Sequence, residues 1–379
     1  MSPKPRKWHP QTVAAQAAGA HDQQTGGVVP PIHLATTFER GQDYELAPDA
    51  QSYRRDFNPT VQDAEAVITA LEGGQATLAF SSGMAAVSAV MRAAGGAIAL
   101  QTGTYYGTSV AGAFQAERGL SVVGFDPSDL GTLDEVLAKA RPALVHIETP
   151  SNPFLTVVDI EYAARCAHAA GALLSVDSTA ATPAIQQPLR HGADLVIHSA
   201  TKALSGHSDV LAGTVTVRDT GLPIWQTLAR MRAIEGAVLS PFDAFLLTRG
   251  MRTLHLRTAQ MSRSALHLAH VLETHPSVTH VHYPGLPHHP AHRVAAAQMQ
   301  GGFGSLLSFE VEGGAHTALQ VCARLELIKR ATSLGGVESL IEHRHSIEPA
   351  FTGVPEGLLR LSVGIEALED LVADLTAAL

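Results

Sequence analysis

The chain has 379 residues, of which 45% are hydrophobic and 16% charged, and its formal net charge at pH 7 is −9. This length exceeds that at which a single hydrophobic core usually stops growing, so we expect two domains and an additional arm. The acidic balance argues against nucleic acid or an anionic membrane surface as a general partner.

The amino-terminal stretch MSPKPRKWHP is basic but leads into no apolar core of a signal peptide. The longest alanine-rich run, residues 76–100, is interrupted by serine, glycine and arginine, so it is not a membrane span. Cys166 and Cys322 are too few for a disulfide framework and are typical of a reducing compartment. We therefore expect a soluble, cytoplasmic protein that binds no membrane.

Helices and strands alternate after an amino-terminal arm. Residues 1–50 lack periodicity and contain GGVVPPIH, which predicts an extended arm. In NPTVQDAEAVITALEGG, an apolar stripe at helical spacing predicts a helix with Thr60 as its N-cap and Gly73 at its end. ATLAF then predicts a short buried strand, and SSGMAAVSAVMRAAGG predicts a second helix.

The alternation continues beyond residue 140. PALVHIE, ALLSVD and ADLVIHS predict buried strands, and DIEYAARCAHAAG predicts the helix between the first two. This order favours a mostly parallel sheet that is covered on both faces. From about residue 240, long helices precede strands such as GSLLSFEVE. The expected α/β fold has an arm over residues 1–50, a large domain over 51–245 and a smaller α+β domain over 246–379.

Two residues of opposite charge lie where predicted strands end. Asp177 ends ALLSVD, and Lys202 follows ADLVIHSAT. Ligands of open α/β sheets bind at the carboxyl ends of strands, so both residues are placed to contact one ligand. Each alone is more commonly structural, as a capping acid or a solvated lysine. Together they meet the demands of pyridoxal 5'-phosphate (PLP), which needs a lysine for covalent attachment and a carboxylate for its pyridine nitrogen.

Other residues supply a candidate phosphate site and an aromatic ring. AFSSGMAA places a small-residue turn before a helix N-terminus, whose free N–H groups and dipole favour an anion. Ser199 and Thr201 flank Lys202 with hydroxyl groups, and Tyr53 and Arg55 in SYRRDFNPT suit a phosphate. We expect the aromatic ring to come from TGTYYGTS.

Residues 176–213, VDSTAATPAIQQPLRHGADLVIHSATKALSGHSDVLAG, resemble the signature of the Cys/Met-metabolism PLP-dependent enzymes, the transsulfuration group. The similarity includes GGVVPPIH, YPGLPHHPAH, SLGGVESLIEH and LLRLSVGIE in the same order, so it covers nearly the whole chain. The resemblance implies PLP as cofactor, a small amino-acid substrate and the PLP-dependent transferase fold type I, which is the fold of aspartate aminotransferase.

The resemblance also implies roles for single residues. Lys202 would bind the cofactor covalently and, with Tyr105, move protons, and Asp177 would pair with the ring nitrogen. Tyr105 would also stack on the ring; it is preferred to Tyr106 because the family's tyrosine precedes a small residue and then Thr or Ser, as in YYGT. Substrate contacts are implied for Arg360 with the α-carboxylate, for Ser333, and for Asn152, which would also approach the ring hydroxyl.

Phosphate contacts are implied from two subunits. Those from the same subunit are Gly83, Met84, Ser199 and Thr201. Tyr53 and Arg55 would reach the phosphate bound by a neighbouring subunit. A homodimer is therefore the minimum assembly, and a homotetramer is expected.

The reaction within the group stays open. Methionine gamma-lyases usually carry cysteine where this chain has Gly107, and O-acylhomoserine sulfhydrylases tend to be longer. We favour a cystathionine gamma-synthase, with cystathionine beta- or gamma-lyase as alternatives. Thr332 stands where many members have a glutamate for the distal amino group, and IEHRHSIEP departs from the commoner HPASMTH-like sequence. An aminotransferase and a catalytically silent PLP-binding regulator are more distant alternatives.

Two further patterns carry little functional signal. The histidines of THPSVTHVHYPGLPHHPAHRV match no tight ligand spacing, so no metal site is expected. GGFGSLL lacks the third glycine of a dinucleotide-binding fingerprint.

Overall fold

The computed structural model describes residues 8–46 and 52–379. Within these residues the chain forms a seven-stranded and a five-stranded β-sheet. The strands of the larger sheet are β1 (Ala76–Phe80), β2 (Ile98–Gln101), β3 (Val122–Phe125), β4 (Leu144–Glu148), β5 (Leu173–Asp177), β6 (Leu195–His198) and β7 (Gly213–Val217). Their order is β1-β7-β6-β5-β4-β2-β3.

The larger sheet is mostly parallel, as the sequence predicts. Strands β6, β5, β4, β2 and β3 pair in parallel, whereas β7 runs antiparallel to both β6 and β1. In this register Glu148 lies opposite Asp177, and Asp177 lies opposite Ile197. The carboxyl ends of three neighbouring strands therefore meet at one edge of the sheet.

Helices cover both faces of this sheet. They are α1 (Pro10–Ala15), α2 (Pro59–Glu72), α3 (Gly83–Ala93), α4 (Tyr106–Glu117), α5 (Leu130–Ala140), α6 (Ile160–Ala169), α7 (Pro223–Glu235) and α8 (Pro241–Met251). Successive residues of β4 belong to hydrophobic cores on opposite faces of the sheet. Leu144 shares a core with α3 and α7, and Val145 shares a core with α5 and α6. Burial on both faces explains why these strands are continuously apolar.

The start of α2 corrects one prediction. Its N-cap is Asn58, whose side chain accepts a hydrogen bond from Val61 N at 3.2 Å, so the assignment to Thr60 is wrong. Thr60 Oγ1 instead accepts from His33 N at 3.0 Å and thereby holds the amino-terminal segment on α2. Gly73 ends the helix in the left-handed region with φ 69°, as predicted. The predicted arm also contains α1, which the sequence analysis did not predict, and its residues 1–7 and 47–50 lie outside the described residues.

The smaller sheet is formed by the last third of the chain. Its strands are β8 (Val278–His282), β9 (Leu306–Val311), β10 (Lys329–Arg330), β11 (Leu340–His343) and β12 (Leu358–Ser362), in the order β10-β11-β12-β9-β8. The accompanying helices are α9 (Leu254–Glu273), α10 (His292–Gln298), α11 (Gly314–Arg324) and α12 (Leu368–Ala378). Among the described residues, none of the helices combines the length and hydropathy that crossing a bilayer requires.

The division of the chain near residue 245 stays a proposal. Helix α8 spans that position, and its buried Ala244, Leu247 and Met251 share a core with Val61 and Ile68 of α2. A division between the two parts would therefore follow α8 and leave that helix with the larger sheet.

Candidate active site

A cavity of about 260 Å³ is lined by residues that both sheets position. It brings together most of the predicted site: Gly83, Met84, Tyr105, Asn152, Asp177, Ser199, Thr201, Lys202, Ser333 and Arg360. Tyr53 and Arg55 are not among the lining residues. Tyr53 is 44% exposed, and the Arg55 guanidinium lies 5.1 Å from the centre of the Tyr53 ring.

Lys202 follows β6 in a tight turn, in which its backbone N donates to Ser199 O at 3.0 Å. Its side-chain Nζ donates to Ser333 Oγ at 3.0 Å, so this amine links the larger sheet to the smaller one. Burial, together with the nearby positive charge of Arg360, lowers the pKa of Lys202 to about 8, although Glu342 opposes the shift. At pH 7 about a tenth of the amines are then neutral, compared with about one in 3,000 for an ordinary lysine.

The lowered pKa predicts how the Lys202 amine reacts in cofactor-free protein. Only the neutral amine attacks an acylating reagent, so its labelling by acetic anhydride should rise about tenfold per pH unit and level off above pH 8. Peptide mass spectrometry measures the labelled fraction, with free Nα-acetyl-lysine as the reference. A Lys202 profile that keeps rising to pH 10, like the reference, would contradict the proposed environment.

Asp177 ends β5 with one carboxylate oxygen fixed by Thr179. Its Oδ1 accepts from Thr179 N at 3.0 Å and from Thr179 Oγ1 at 2.5 Å. The same hydroxyl accepts from Ser199 N at 2.8 Å, so Thr179 couples the ends of β5 and β6. The sequence analysis gave Thr179 no role, although its position two residues after a strand-end acid was a usable signal.

The N-terminus of α3 has the features of an anion site. Ser82 caps the helix by accepting from Ala85 N at 3.1 Å, and the N–H groups of Gly83 and Met84 lie in the first turn, which offers them no intrahelical acceptor. A Cβ atom at Gly83 would lie 2.8 Å from Cβ and 2.9 Å from Oγ of Ser199. Glycine therefore lets the helix terminus and the end of β6 approach each other around the cavity.

We expect Gly83→Ala to impair this anion site. The added methyl group has to push the Ser199 backbone away, and such overpacking costs about 1–3 kcal/mol. The predicted result is a lower melting temperature and a dissociation constant for PLP about 5- to 140-fold higher, because each 1.4 kcal/mol corresponds to a factor of ten. Ser88→Ala on the same helix is the matched control. Unchanged PLP affinity in Gly83→Ala would show that this approach does not shape the site.

Glu148 is a cavity residue that the sequence analysis missed. It lies at the end of β4, where its Oε2 accepts from Tyr105 N and its Oε1 accepts from Asn152 N, both at 2.8 Å. Burial and the charge of Asp177 raise the pKa of Glu148 to about 8, so the group carries a proton at neutral pH. The rule that singled out Asp177, an acid at a strand end, applies equally to HIETPSNP and could have found it.

Tyr105 precedes α4 and lies against Tyr106, with ring centroids 4.8 Å apart. Burial and the neighbouring Tyr106 hydroxyl raise the pKa of Tyr105 to about 12. The phenol therefore keeps its proton at neutral pH and can donate a hydrogen bond.

Arg360 lies on β12 and is 3% exposed. Its Nη1 donates to Asn152 Oδ1 at 3.0 Å, its Nη2 donates to Ser333 O at 2.9 Å, and Nη2 also lies 2.7 Å from Glu342 Oε2. Among the described residues, the buried Nε has no hydrogen-bond partner. Burial lowers the pKa of Arg360 to about 10 despite Glu342, so the group stays charged. A charged donor group with an unused N–H suits a carboxylate ligand.

Ser333 has a strained backbone beside both cations. Its φ of 126° lies in a region that residues with side chains rarely adopt. This conformation places its hydroxyl on Lys202 and its carbonyl on Arg360. Within residues 8–46 and 52–379, no group of three or more His, Cys, Asp or Glu side chains forms a candidate metal site.

Comparisons with known proteins agree with this geometry. The model of the Cys/Met metabolism PLP-dependent enzymes matches residues 11–379. A cystathionine gamma-synthase of Mycobacterium bovis is 41% identical over 98% of this chain and 96% of its own length. A cystathionine beta-lyase of Lactococcus lactis subsp. cremoris is 41% identical over 94% of this chain and 95% of its own length. The crystal structure of a cystathionine gamma-synthase from Xanthomonas oryzae pv. oryzae in complex with cystathionine is 39% identical, with a TM-score of 0.92 over 97% of each chain.

Proposed function

The chain belongs to the Cys/Met-metabolism family of PLP-dependent enzymes, and from this premise we propose that it is a cystathionine gamma-synthase. The reaction joins an O-acylhomoserine to cysteine, so that a C–S bond replaces the Cγ–O bond and the acyl group leaves as a carboxylic acid. The similarity to cystathionine gamma-synthases favours this reaction, and the observation that carries the proposed chemistry at the substrate Cα is the 3.0 Å contact between Lys202 Nζ and Ser333 Oγ. It places a partly neutral amine beside the buried arginine that suits an amino-acid carboxylate.

The residues that line the cavity support PLP binding in the proposed arrangement. Lys202 would hold the cofactor covalently, Asp177 would keep its ring nitrogen protonated, and Tyr105 would stack on the ring. The phosphate would lie at the N-terminus of α3, in contact with Gly83, Met84, Ser199 and Thr201. Asn152 would approach the ring hydroxyl. Bound PLP supplies an electron sink for the negative charge that develops at the substrate Cα.

The remaining residues would bind the substrate and move its protons. Arg360 would hold the α-carboxylate through its unused Nε–H, with Ser333 beside it. The neutral Nζ of Lys202 would accept the Cα proton, and its pKa of about 8 suits that task near neutral pH. Because Tyr105 retains its phenolic proton, its proposed role is that of a donor near the departing group.

The proposal includes an assembly and a location. Tyr53 and Arg55 do not line the cavity of their own chain, which supports a role for both residues at the phosphate of a neighbouring subunit. A homodimer would then be required, and a homotetramer is proposed. The free cysteines Cys166 and Cys322 support a cytoplasmic location.

Cystathionine lyase is the second candidate function. The Lactococcus beta-lyase is as similar in sequence as the Mycobacterium gamma-synthase. A lyase would cleave cystathionine at Cβ–S or Cγ–S, and the same lysine, carboxylate and arginine would serve both reactions.

One comparison of products tests the proposal. Purified holoenzyme is given O-acetyl- or O-succinyl-L-homoserine with cysteine, and separately cystathionine with and without added 2-oxoglutarate, and the products are identified by mass spectrometry. We expect cystathionine to form from the first mixtures. Pyruvate or 2-oxobutanoate from cystathionine, without synthesis, would assign beta- or gamma-cleavage instead. A transamination product that requires an added 2-oxo acid would overturn both candidates.

A further inference from the structure

Four buried charges of alternating sign form a chain behind the cavity. Glu342 lies opposite Arg360 in the pairing of β11 with β12, and its Oε2 lies 2.7 Å from Arg360 Nη2. The same oxygen accepts from Arg344 Nη1, and Arg344 Nη2 donates to Glu348. The four side chains are at most 3% exposed. The charges follow one another in the order Arg360–Glu342–Arg344–Glu348, and the carboxylate of Glu342 contacts both arginines.

This sharing determines how much positive charge Arg360 can offer to a ligand. A buried carboxylate at hydrogen-bonding distance attracts a guanidinium strongly, because little water screens the pair. If Glu342 had Arg360 as its only cation, the pair would be neutral and a substrate carboxylate would gain little. Arg344 supplies the second positive charge that Glu342 requires, and Glu348 balances Arg344 from the other side.

The two arginines and the two glutamates differ in their position relative to the cavity. Arg344 and Arg360 both line the cavity, whereas Glu342 and Glu348 are not among its lining residues. Arg344 Nε is buried without a hydrogen-bond partner in the part of the chain that the structure describes, as is Arg360 Nε. Of these four charges, the cavity wall therefore presents the guanidinium groups rather than the carboxylates, and Arg344 is linked to Arg360 through Glu342 Oε2, which both contact.

We propose that Arg344 is a positioning residue that keeps Glu342 from neutralising Arg360, and so sets the affinity of the site for the α-carboxylate of its amino-acid substrate. The inference rests on the role proposed above for Arg360. It gives a function to the sequence IEHRHSIEP, which departs from the common family pattern. A buried ion pair that only stabilises the fold would have the same contacts but would not control carboxylate affinity.

The experiment compares two ligands that differ only in the carboxylate. L-norleucine and pentan-1-amine are titrated into holoenzyme by absorbance, and the ratio of their dissociation constants isolates the carboxylate contribution. Arg344→Gln alone would leave Glu348 buried and unpaired, so the test variant is Arg344→Gln/Glu348→Gln, which removes one charge of each sign. We expect the preference for norleucine to fall by about tenfold, because Glu342 then pairs with Arg360 alone.

A third substitution separates this role from a structural one. Adding Glu342→Gln removes the neutralising charge, so the preference should recover to within about threefold of the wild-type value. Glu342→Gln in the otherwise unchanged protein should raise the preference. A structural role for Arg344, or a direct contact of Arg344 with the ligand carboxylate, predicts no recovery in the triple variant, and that result would overturn the inference. An unchanged preference in the double variant or a lower one in Glu342→Gln would overturn it as well.

Two controls complete the experiment. Arg92→Gln/Glu235→Gln removes a partly exposed ion pair of the same composition, with side chains 37% and 39% exposed, and should leave the preference unchanged. Arg360→Lys tests the premise and should lower the preference by itself. If Arg360→Lys has no effect, the proposed function of Arg360 and the inference both fail. If it lowers the preference but the double variant does not, only the inference fails.

Discussion

Lys202→Ala is expected to lower kcat by at least about 1,000-fold, because it removes both the proposed attachment point of the cofactor and the proposed acceptor of the Cα proton. The fold should persist, since within residues 8–46 and 52–379 the Lys202 side chain makes one hydrogen bond, to Ser333 Oγ, at the wall of a cavity. Turnover of O-acylhomoserine with cysteine is measured in excess PLP, so that weaker cofactor binding does not limit the rate.

Lys139→Ala is the matched control for this substitution. Lys139 is exposed and forms a surface pair with Glu135 four residues earlier in α5, which contributes only a few tenths of a kcal/mol. We expect wild-type turnover and melting temperature for this variant. If Lys202→Ala retained turnover within tenfold of the wild-type rate, the catalytic assignment would be wrong.

Asp177→Asn should lower kcat/KM by about 100- to 1,000-fold, which corresponds to about 3–4 kcal/mol of transition-state stabilisation. The amide has the size of the carboxylate and keeps an oxygen that can accept from Thr179, so the local structure should be preserved. It lacks the negative charge that would hold a proton on the pyridine nitrogen. The effect should therefore fall mainly on kcat, with a smaller loss of PLP affinity.

Steady-state kinetics and PLP titration measure the two effects of Asp177→Asn separately. Asp219→Asn is the control, because Asp219 is exposed just after β7 and accepts from Gly221 N at 2.8 Å. An Asp177→Asn enzyme with wild-type kcat/KM would exclude Asp177 as the partner of the ring nitrogen. Equal losses in both variants would point to a general effect on folding.

Much of the larger sheet could be predicted because its strands are short, apolar and separated by capped helices. Ligands of parallel sheets bind at the carboxyl ends of strands. This rule predicted that Asp177, at the end of β5, and Lys202, in the turn after β6, belong to one site, and both line the cavity. Glu148 was missed only because that rule was not applied to β4. The N-cap of α2 was misplaced by two residues, although Pro59, a residue favoured in the first helical turn, indicated Asn58.

Contacts between distant parts of the chain could not be predicted from local patterns. The pairing of Glu342 with Arg360 depends on the register of β11 against β12, which no periodicity in either strand determines. The bond from Lys202 to Ser333 joins the two sheets across 131 residues. IEHRHSIEP stood out as a departure from a family pattern, but only the folded chain places Arg344 between two carboxylates.

The residue that carries the cofactor can be identified directly. Holoenzyme is reduced with sodium borohydride, which makes a covalent PLP–lysine link permanent, and is then digested and mapped by tandem mass spectrometry. We expect one phosphopyridoxyl group, located on Lys202. Modification of a different lysine, or none in protein that contains bound PLP, would contradict this expectation.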